Sequence, residues 1–138
     1  GKTKQYHNLN ALIDRYSPDL KIIGVPCNQF GQQEPGKNLE EILNGIKHVR
    51  PGGGFVPKFE LTKKMNVNGE KENKFYTFLK VSEIFKCHFP PTNDVAWNFE
   101  KFLIDKQGRV RYRMEDSVLP DDEDVTEHIE QLKREDDD

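Results

Sequence analysis

The sequence predicts an α/β domain with a mixed sheet, and three patterns support this fold class. Apolar residues recur at helical spacing in segments 3–16 and 122–135. The short apolar run 20–25 has the composition of a buried strand. Segments 99–104 and 109–113 have the pattern of two strands that a short, hairpin-like connection joins. Helices and strands in this order are typical of a sheet flanked by helices.

The first predicted helix, 3–16, carries its apolar residues on one face, and Thr3 is its expected cap. Asn38-Leu39-Glu40-Glu41 resembles a capping box and predicts the start of a second helix. The residues of that helix expected to point inward are Leu39, Ile42, Leu43 and Ile46. Because Arg50-Pro51-Gly52-Gly53-Gly54 breaks regular structure, 48–58 is predicted to be a loop.

A third helix is predicted from Lys71 to about Phe85, through Phe75, Phe78 and Leu79. The last helix, about 122–135, has an acidic first turn and basic residues near its end, which matches the helix dipole. Its apolar stripe is Val125, Ile129 and Leu132.

Length and composition limit the classes of function. The 138 residues predict a single domain, 1–138, and the net charge of −3 offers no basic face for a nucleic acid. No run approaches the roughly 20 apolar residues of a membrane helix. Two cysteines and four histidines show no metal-ligand spacing, so no metal site is expected. Because the chain opens on Gly1 rather than Met, we expect that an upstream segment has been removed or is not included.

An amide-rich loop follows the first predicted strand. Residues 24–36 read GVPCNQFGQQEPG, with Asn28, Gln29, Gln32 and Gln33 placed around Phe30 and Gly31. Amide N–H groups donate hydrogen bonds without carrying charge and without titrating. Such a loop suits a site that holds an anion without protonating it.

Trp97 and Asn98 form a second group of neutral donors at the start of a predicted strand. The indole N–H is a donor only, and the Asn amide adds two more donors. Their alternative interpretation is an aromatic side chain filling the core beside an Asn that ends a turn. Together with the amide loop, these side chains could converge on one anion.

Three other interpretations stay open. Cys27, after a strand, has the placement of a buried and inert thiol. Cys87, between Lys86 and His88, is a candidate for a reactive or resolving thiol with no evident partner. Gly1-Lys2-Thr3 matches the end of a phosphate-binding loop, but no later Asp stands out as a magnesium ligand.

The chain resembles the glutathione peroxidases nearly from end to end. Four segments are similar to that family in the same order: GVPCNQFGQQEPG, VRPGGGFVPKF, VNGEKENKFYTFLK and WNFEKFLIDKQG. The likeness is greatest to the extracellular plasma and epididymal types. It implies a thioredoxin-like fold, with a central mixed sheet whose N-terminal strands are missing from these residues. It also implies reduction of hydrogen peroxide and organic hydroperoxides by glutathione, as an antioxidant response to oxidative stress.

The resemblance further implies the site residues. Gly1-Lys2-Thr3 matches the family's stretch after the peroxidatic residue, so a selenocysteine or cysteine is expected immediately before Gly1, with no other cofactor. Gln33, Trp97 and Asn98 match the other three members of the family's catalytic tetrad. Their side chains are expected to meet beside the amino end of the first helix. This polypeptide alone is therefore expected to be inactive. A non-catalytic thioredoxin-fold subunit or binding module is the alternative.

Binding of glutathione is expected at basic residues, because the tripeptide carries two carboxylates. Lys37, Arg50 and Arg113 match positions that are basic in tetrameric relatives. The resemblance thus implies a homotetramer and secretion, with a cytoplasmic location as the alternative. The chain departs from the tetrameric pattern in a shorter region after Lys80 and in Met114-Glu115-Asp116, which leaves a thioredoxin-type reductant open.

Overall fold

The computed structural model describes residues 2–80, 94–95 and 97–135. The predicted end of the third helix near Phe85, and Cys87, lie outside the described residues. The elements in chain order are a 3-10 turn Lys2–Lys4, α1 Gln5–Tyr16, β1 Ile23–Gly24, α2 Leu39–His48, β2 Glu60–Leu61, α3 Lys74–Lys80, β3 Lys101–Ile104, β4 Val110–Met114 and α4 Glu123–Arg134. They belong to two compact units, Gly1–Asn66 and Val67–Asp138.

In the first unit, β1 and β2 form a parallel pair, with Ile23 opposite Glu60 and Gly24 opposite Leu61. The strand expected over 20–25 is therefore present but short. Pro26, two residues beyond Gly24, has no N–H with which to extend the ladder. Its carbonyl still accepts a hydrogen bond from the Met65 N–H at 3.0 Å.

The predicted first helix is confirmed, but its predicted cap is wrong. The helix begins after Lys4, and no side chain caps its first turn. Thr3 lies within the preceding 3-10 turn instead. The helix buries Gln5, Leu12 and Tyr16.

The second helix is confirmed together with its cap. The Asn38 side chain accepts a hydrogen bond from the Glu41 N–H at 2.9 Å. Glu41 reaches back to the Lys37 N–H at 2.6 Å, one residue earlier than a standard capping box. Ile42 and Ile46 are buried in a cluster with Phe55, as expected. Leu39 is 48% exposed, so its predicted inward position is wrong, because the first turn of the helix lies at the surface.

In the second unit, α3 begins later than predicted because Asn73 starts it. The Asn73 side chain accepts a hydrogen bond from the Phe75 N–H at 2.9 Å. This register buries Tyr76 and Leu79, whereas Phe75 and Phe78 are exposed.

The strands β3 and β4 are antiparallel, with Phe102 opposite Arg113, and an irregularity in register lies between Leu103 and Ile104. Asp105 closes the connection, because its carboxylate accepts hydrogen bonds from the N–H groups of Gln107 and Arg109, each at 2.9 Å. The fourth helix is confirmed with its buried stripe of Val125, Ile129 and Leu132. Its N-cap is Asp122, whose side chain accepts a hydrogen bond from the Asp124 N–H at 2.9 Å.

Candidate active site

The amide-rich loop leaves β1 with its thiol turned into the protein. Cys27 is buried, and its Sγ lies 3.4 Å from Gln29 Oε1 and 3.5 Å from the Gln29 N–H nitrogen. The thiol donates to the first of these atoms and accepts from the second. This supports the interpretation of Cys27 as a buried bystander of the loop.

Gln33 lies on a tight turn that brings its side chain to the surface. Its N–H donates to the Phe30 carbonyl at 3.3 Å, and Phe30 itself is buried. Between them, Gly31 and Gln32 have φ values of 62° and 51°, in the left-handed region. Glycine adopts that region freely, whereas a glutamine there is uncommon and indicates a constrained turn. The buried Phe30 thus anchors the turn that exposes Gln33.

Glu34 ties the same loop to the rest of the first unit. Its N–H donates to Asn28 Oδ1 at 3.0 Å, and its carbonyl accepts from the Lys64 ammonium. Burial raises the pKa of the Glu34 carboxyl, and the nearby Lys64 charge opposes that effect. Burial also raises the pKa of the Tyr6 phenol, and the charge of Glu34 adds to the shift. The residue after Gln33 therefore lies within electrostatic reach of the first turns of α1.

The amino end of α1 has the polarity that an anion requires. No acidic residue occupies its first turn, and Lys2 and Lys4 precede it. The backbone N–H groups of a first turn carry a partial positive charge, which stabilises a nearby anion.

Trp97 and Asn98 lie in the second unit, half-buried, just before β3. The chain turns directly after them, because Phe99 has a φ of 67°. The next residue, Glu100, is fixed by Arg113, whose Nε lies 2.6 Å from Glu100 Oε2.

The segment before Trp97 is fixed by side chains from elsewhere in the second unit. Asn68 donates to the Val95 carbonyl at 2.7 Å and accepts from the Val95 N–H at 2.9 Å. The Asp94 carbonyl accepts a hydrogen bond from Arg113 Nη2 at 3.2 Å. Lys80 donates to both Asn68 and Asp94, at 3.3 and 3.2 Å.

The three basic residues predicted to bind glutathione have different surroundings. Lys37 is exposed beside the start of α2, and Arg50 is exposed just beyond its end. Arg113 is paired with Glu100, and their side chains are 9% and 7% exposed. The Arg113 guanidinium also lies over the Phe102 ring, 5.1 Å from its centroid. Its charge is thus largely balanced within the second unit.

A model of the glutathione peroxidase family matches residues 1–80, more than half of the chain. The chain belongs to the glutathione peroxidase family. It is an oxidoreductase family whose members use glutathione as a co-substrate and need no prosthetic group. The resemblance drawn from the four sequence segments is confirmed.

Glutathione peroxidase 3 of Rattus norvegicus is 52% identical, over 78% of this chain and 53% of that protein. The epididymal secretory glutathione peroxidase of Sus scrofa is 44% identical, over 98% of this chain and 68% of that protein. The chain therefore spans about half the length of the glutathione peroxidase 3 sequences that it matches.

Solved structures agree with the family. The crystal structure of Trgpx in apo form has a TM-score of 0.68 and 29% identity, over 98% of this chain and 74% of that one. The crystal structure of T. cruzi GPX1 has a TM-score of 0.59 and 24% identity, over 93% of this chain and 68% of that one, and this likeness shows the fold alone. The thioredoxin-like fold is confirmed.

The described part of the chain shows neither a metal-binding cluster nor a membrane-spanning helix. Within those residues, no group of three or more His, Cys, Asp or Glu side chains could hold a metal ion. Likewise, none of the described helices is long and apolar enough to cross a bilayer.

Sequence reasoning missed the residues that surround Trp97 and Asn98. Lys80, Asn68 and Glu100 were not singled out, although each contacts the segment around Trp97. One feature of the sequence could have indicated that Lys80 is buried. Lys80 ends the short helix α3 directly after the buried Leu79, and so lies near the apolar face of that helix. Nothing local in the sequence indicates its distant partners.

Proposed function

We propose that the protein to which this chain belongs reduces hydrogen peroxide and organic hydroperoxides with glutathione. The observation that carries the proposal is the glutathione peroxidase family match over residues 1–80, which includes the whole amide-rich loop. The identity to glutathione peroxidase 3 supports it further. The donor chemistry of Gln33, Trp97 and Asn98 is what such a reaction needs.

The proposed nucleophile is a selenocysteine or cysteine immediately before Gly1. The partial positive charge at the start of the helical segment, where the 3-10 turn Lys2–Lys4 leads into α1, lowers the pKa of such a residue and keeps it as the anion. Gln33, Trp97 and Asn98 donate hydrogen bonds to that anion without protonating it. The same donors stabilise the charge that develops as the peroxide O–O bond breaks.

The reaction balances with two glutathione molecules. The anion attacks one peroxide oxygen, the O–O bond breaks, and the departing oxygen takes a proton to become water or an alcohol. The selenenic or sulfenic acid formed then reacts with one glutathione thiol, releasing water and leaving a mixed intermediate. A second glutathione thiolate displaces the anion and leaves as glutathione disulfide.

Lys37, Arg50 and Arg113 are proposed to attract the two glutathione carboxylates. The exposure of Lys37 and Arg50 supports their part in this. Because Glu100 balances the charge of Arg113, we assign Arg113 the weaker electrostatic contribution.

The decisive experiment begins by sequencing the codon before that of Gly1. The protein is then expressed with its natural upstream segment. Glutathione-dependent consumption of hydrogen peroxide is then measured for the parent and for Gln33→Ala, Trp97→Phe and Asn98→Ala. Each substitution should lower kcat/KM for peroxide about 10²-fold, as loss of one preorganised donor does. Gln107→Ala, at an exposed amide in the β3–β4 connection, is the matched control.

Two outcomes would reject the proposal. An inactive parent with an intact nucleophile codon would favour the alternative, a non-catalytic thioredoxin-fold subunit. Donor variants as active as Gln107→Ala would refute the assigned roles.

A polypeptide limited to residues 1–138 should show little peroxidase activity. Cys27 cannot readily replace the nucleophile, because its thiol is buried and hydrogen-bonded to Gln29. Residual activity that Cys27→Ser or Cys87→Ser abolishes would instead identify a recruited thiol.

Secretion and a homotetramer complete the proposal. The relatives from Sus scrofa and Macaca fascicularis are named epididymal secretory glutathione peroxidases, which supports an extracellular location. Recovery of the full-length protein from culture medium tests secretion, and light scattering after size exclusion tests the tetramer. A cell-retained protein or a monomer would remove the corresponding part of the proposal.

A further inference from the structure

Lys80 carries a charge in a place where charges are seldom found. Its side chain, at the end of α3, is only 6% exposed. Burying an ammonium group is costly unless several acceptors replace its water. Here the acceptors are the Val67 carbonyl at 2.9 Å, Asn68 Oδ1 at 3.3 Å and Asp94 Oδ1 at 3.2 Å, and Glu72 forms an ion pair with the same ammonium.

These acceptors come from two separate stretches of the second unit. Val67 and Asn68 lie before α3, whereas Asp94 lies beyond it, directly before the buried Val95. Asn68 holds both backbone groups of Val95, and Lys80 donates to the same Asn68 oxygen that accepts from the Val95 N–H. We call the two hydrogen bonds between Asn68 and the Val95 backbone the clamp. The Lys80 ammonium holds the Asn68 side chain that forms this clamp, and through it the Val95 backbone.

Trp97 and Asn98 lie two and three residues after Val95, the residue that the clamp holds. On their other side, Arg113 binds the Glu100 carboxylate and also the Asp94 carbonyl. The two donors thus lie in a segment that is held at both ends by buried cations.

The same segment contains a strained residue. Phe99 has a φ of 67°, a conformation that is unfavourable for a non-glycine residue and persists only where the surroundings impose it. The Lys101 ammonium supports it by donating to the Phe99 carbonyl at 2.6 Å. If one end of the segment were released, the strain would favour a shift of the adjoining Asn98 and Trp97.

We propose that Lys80 is a positioning residue for Trp97 and Asn98. By holding Asn68 and Asp94 in place, its ammonium fixes where the indole and amide donors lie. The catalytic part of this inference rests on the proposed peroxidase function. The positional part can be measured without any activity.

The first readout is the fluorescence of Trp97, the only tryptophan in the chain. Lys80→Met keeps the length and apolar stem of the side chain but removes the ammonium. We expect this variant to retain its far-UV circular dichroism, to emit at longer wavelength and to be quenched more strongly by acrylamide. Lys106→Met is the matched control, because Lys106 also donates to two carbonyls in this unit, those of Lys133 and Glu135, but at the exposed end of the β3–β4 connection.

The second readout is the activity of the protein with its natural upstream segment. Misplacing a donor by about 1 Å can cost about 10²-fold in rate, so kcat/KM for hydroperoxide should fall 10- to 100-fold in Lys80→Met. The value for glutathione should change far less, because Trp97 and Asn98 act on the peroxide step. Lys80→Arg, which keeps the charge and the donors, should recover part of the loss.

Two further variants keep the test decisive if Lys80→Met fails to fold. Asn68→Ala removes the clamp alone, and Asp94→Ala changes an exposed side chain; both should shift Trp97 quenching in the same direction. The inference is overturned if the folded variants match Lys106→Met in quenching and in peroxide kinetics. An inactive parent protein whose Lys80→Met variant still shifts Trp97 quenching would reject the peroxidase function while supporting the positional role of Lys80.

Discussion

Arg113 and Glu100 form a buried ion pair, in which Glu100 lies directly before β3 and Arg113 lies within β4. Arg113 Nη2 and Nε lie 2.5 and 2.6 Å from the same Glu100 oxygen, and less than a tenth of either side chain is exposed. Because the guanidinium also contacts the Asp94 carbonyl and the Phe102 ring, this pair joins the start of the hairpin to the segment that carries Trp97.

Breaking this pair should destabilise the protein strongly. Arg113→Met leaves the Glu100 carboxylate buried without its cation, and such a loss costs about 3–5 kcal/mol in the free energy of unfolding. Glu100→Gln should be harmful for the complementary reason. Because both singles leave a buried partner group, the double variant should lose clearly less than the sum of the two. Urea denaturation of all four proteins measures this coupling, and additive losses would show that the contact contributes little.

The exposed cations should affect glutathione rather than stability. In the full-length protein, Lys37→Met or Arg50→Met should raise KM for glutathione by up to about fivefold, since one exposed charge contributes about 0.2–1 kcal/mol. The rise in KM should shrink as salt is added, because dissolved ions screen the attraction between these cations and the glutathione carboxylates. Lys21→Met is the control. It removes an exposed lysine that lies before β1 and is paired with Glu60. An equal rise in KM for this control would mean that net charge, rather than position, attracts the substrate.

Acid stability should depend on Asp105. Burial by itself would raise the pKa of this carboxyl, but hydrogen bonds from Arg109, Arg111 and Gln107 outweigh burial and lower it from 3.8 to about 2. A carboxyl with a lowered pKa stabilises the folded state above its unfolded pKa, and this contribution is lost as the pH falls through the folded value. The parent should therefore lose stability between about pH 4 and pH 2, the window set by that shift.

Asp105→Asn isolates this contribution. The variant should be less stable than the parent at neutral pH, and the difference should narrow as the pH drops towards 2. Thermal unfolding at a series of pH values measures the gap. A gap that stays constant in acid would assign the loss to packing instead of charge.

The parts of the fold that could be predicted are those set by local sequence. The helix after Asn38 was predictable because its cap and its stripe of Ile42 and Ile46 lie within three turns. The last helix was predictable for the same reason. The register of α3 was not, because Asn73 starts the helix later than the apolar pattern indicates and so exposes Phe75.

The donors of the candidate site are a prediction from the sequence, whereas the residues that support Trp97 and Asn98 emerge only from the structure. Gln33, Trp97 and Asn98 stand out as neutral donors in the amide-rich loop and at the start of a predicted strand, and the family resemblance implies their roles. The burial of Lys80 depends on Asn68 and Asp94, whose proximity only the folded chain reveals. Likewise, Arg113 has the appearance of a surface cation in sequence, and its pairing with Glu100 emerges from the antiparallel register of β3 and β4.

Two glycines near the amide-rich loop should respond in opposite directions to the same substitution. A Cβ at Gly36 would lie 2.8 Å from the Ile42 side chain and 3.0 Å from the Ile42 backbone nitrogen, so α2 or the loop must move. Gly36→Ala should therefore lower the free energy of unfolding by about 1–3 kcal/mol, as overpacking does. Gly45, inside α2, has nothing within 4 Å of its Cβ position, and Gly45→Ala should raise stability by about 0.4–1 kcal/mol. Urea unfolding of both variants tests the contrast, and two shifts of the same sign would show that the loop does not lie against α2 as closely as Gly36 requires.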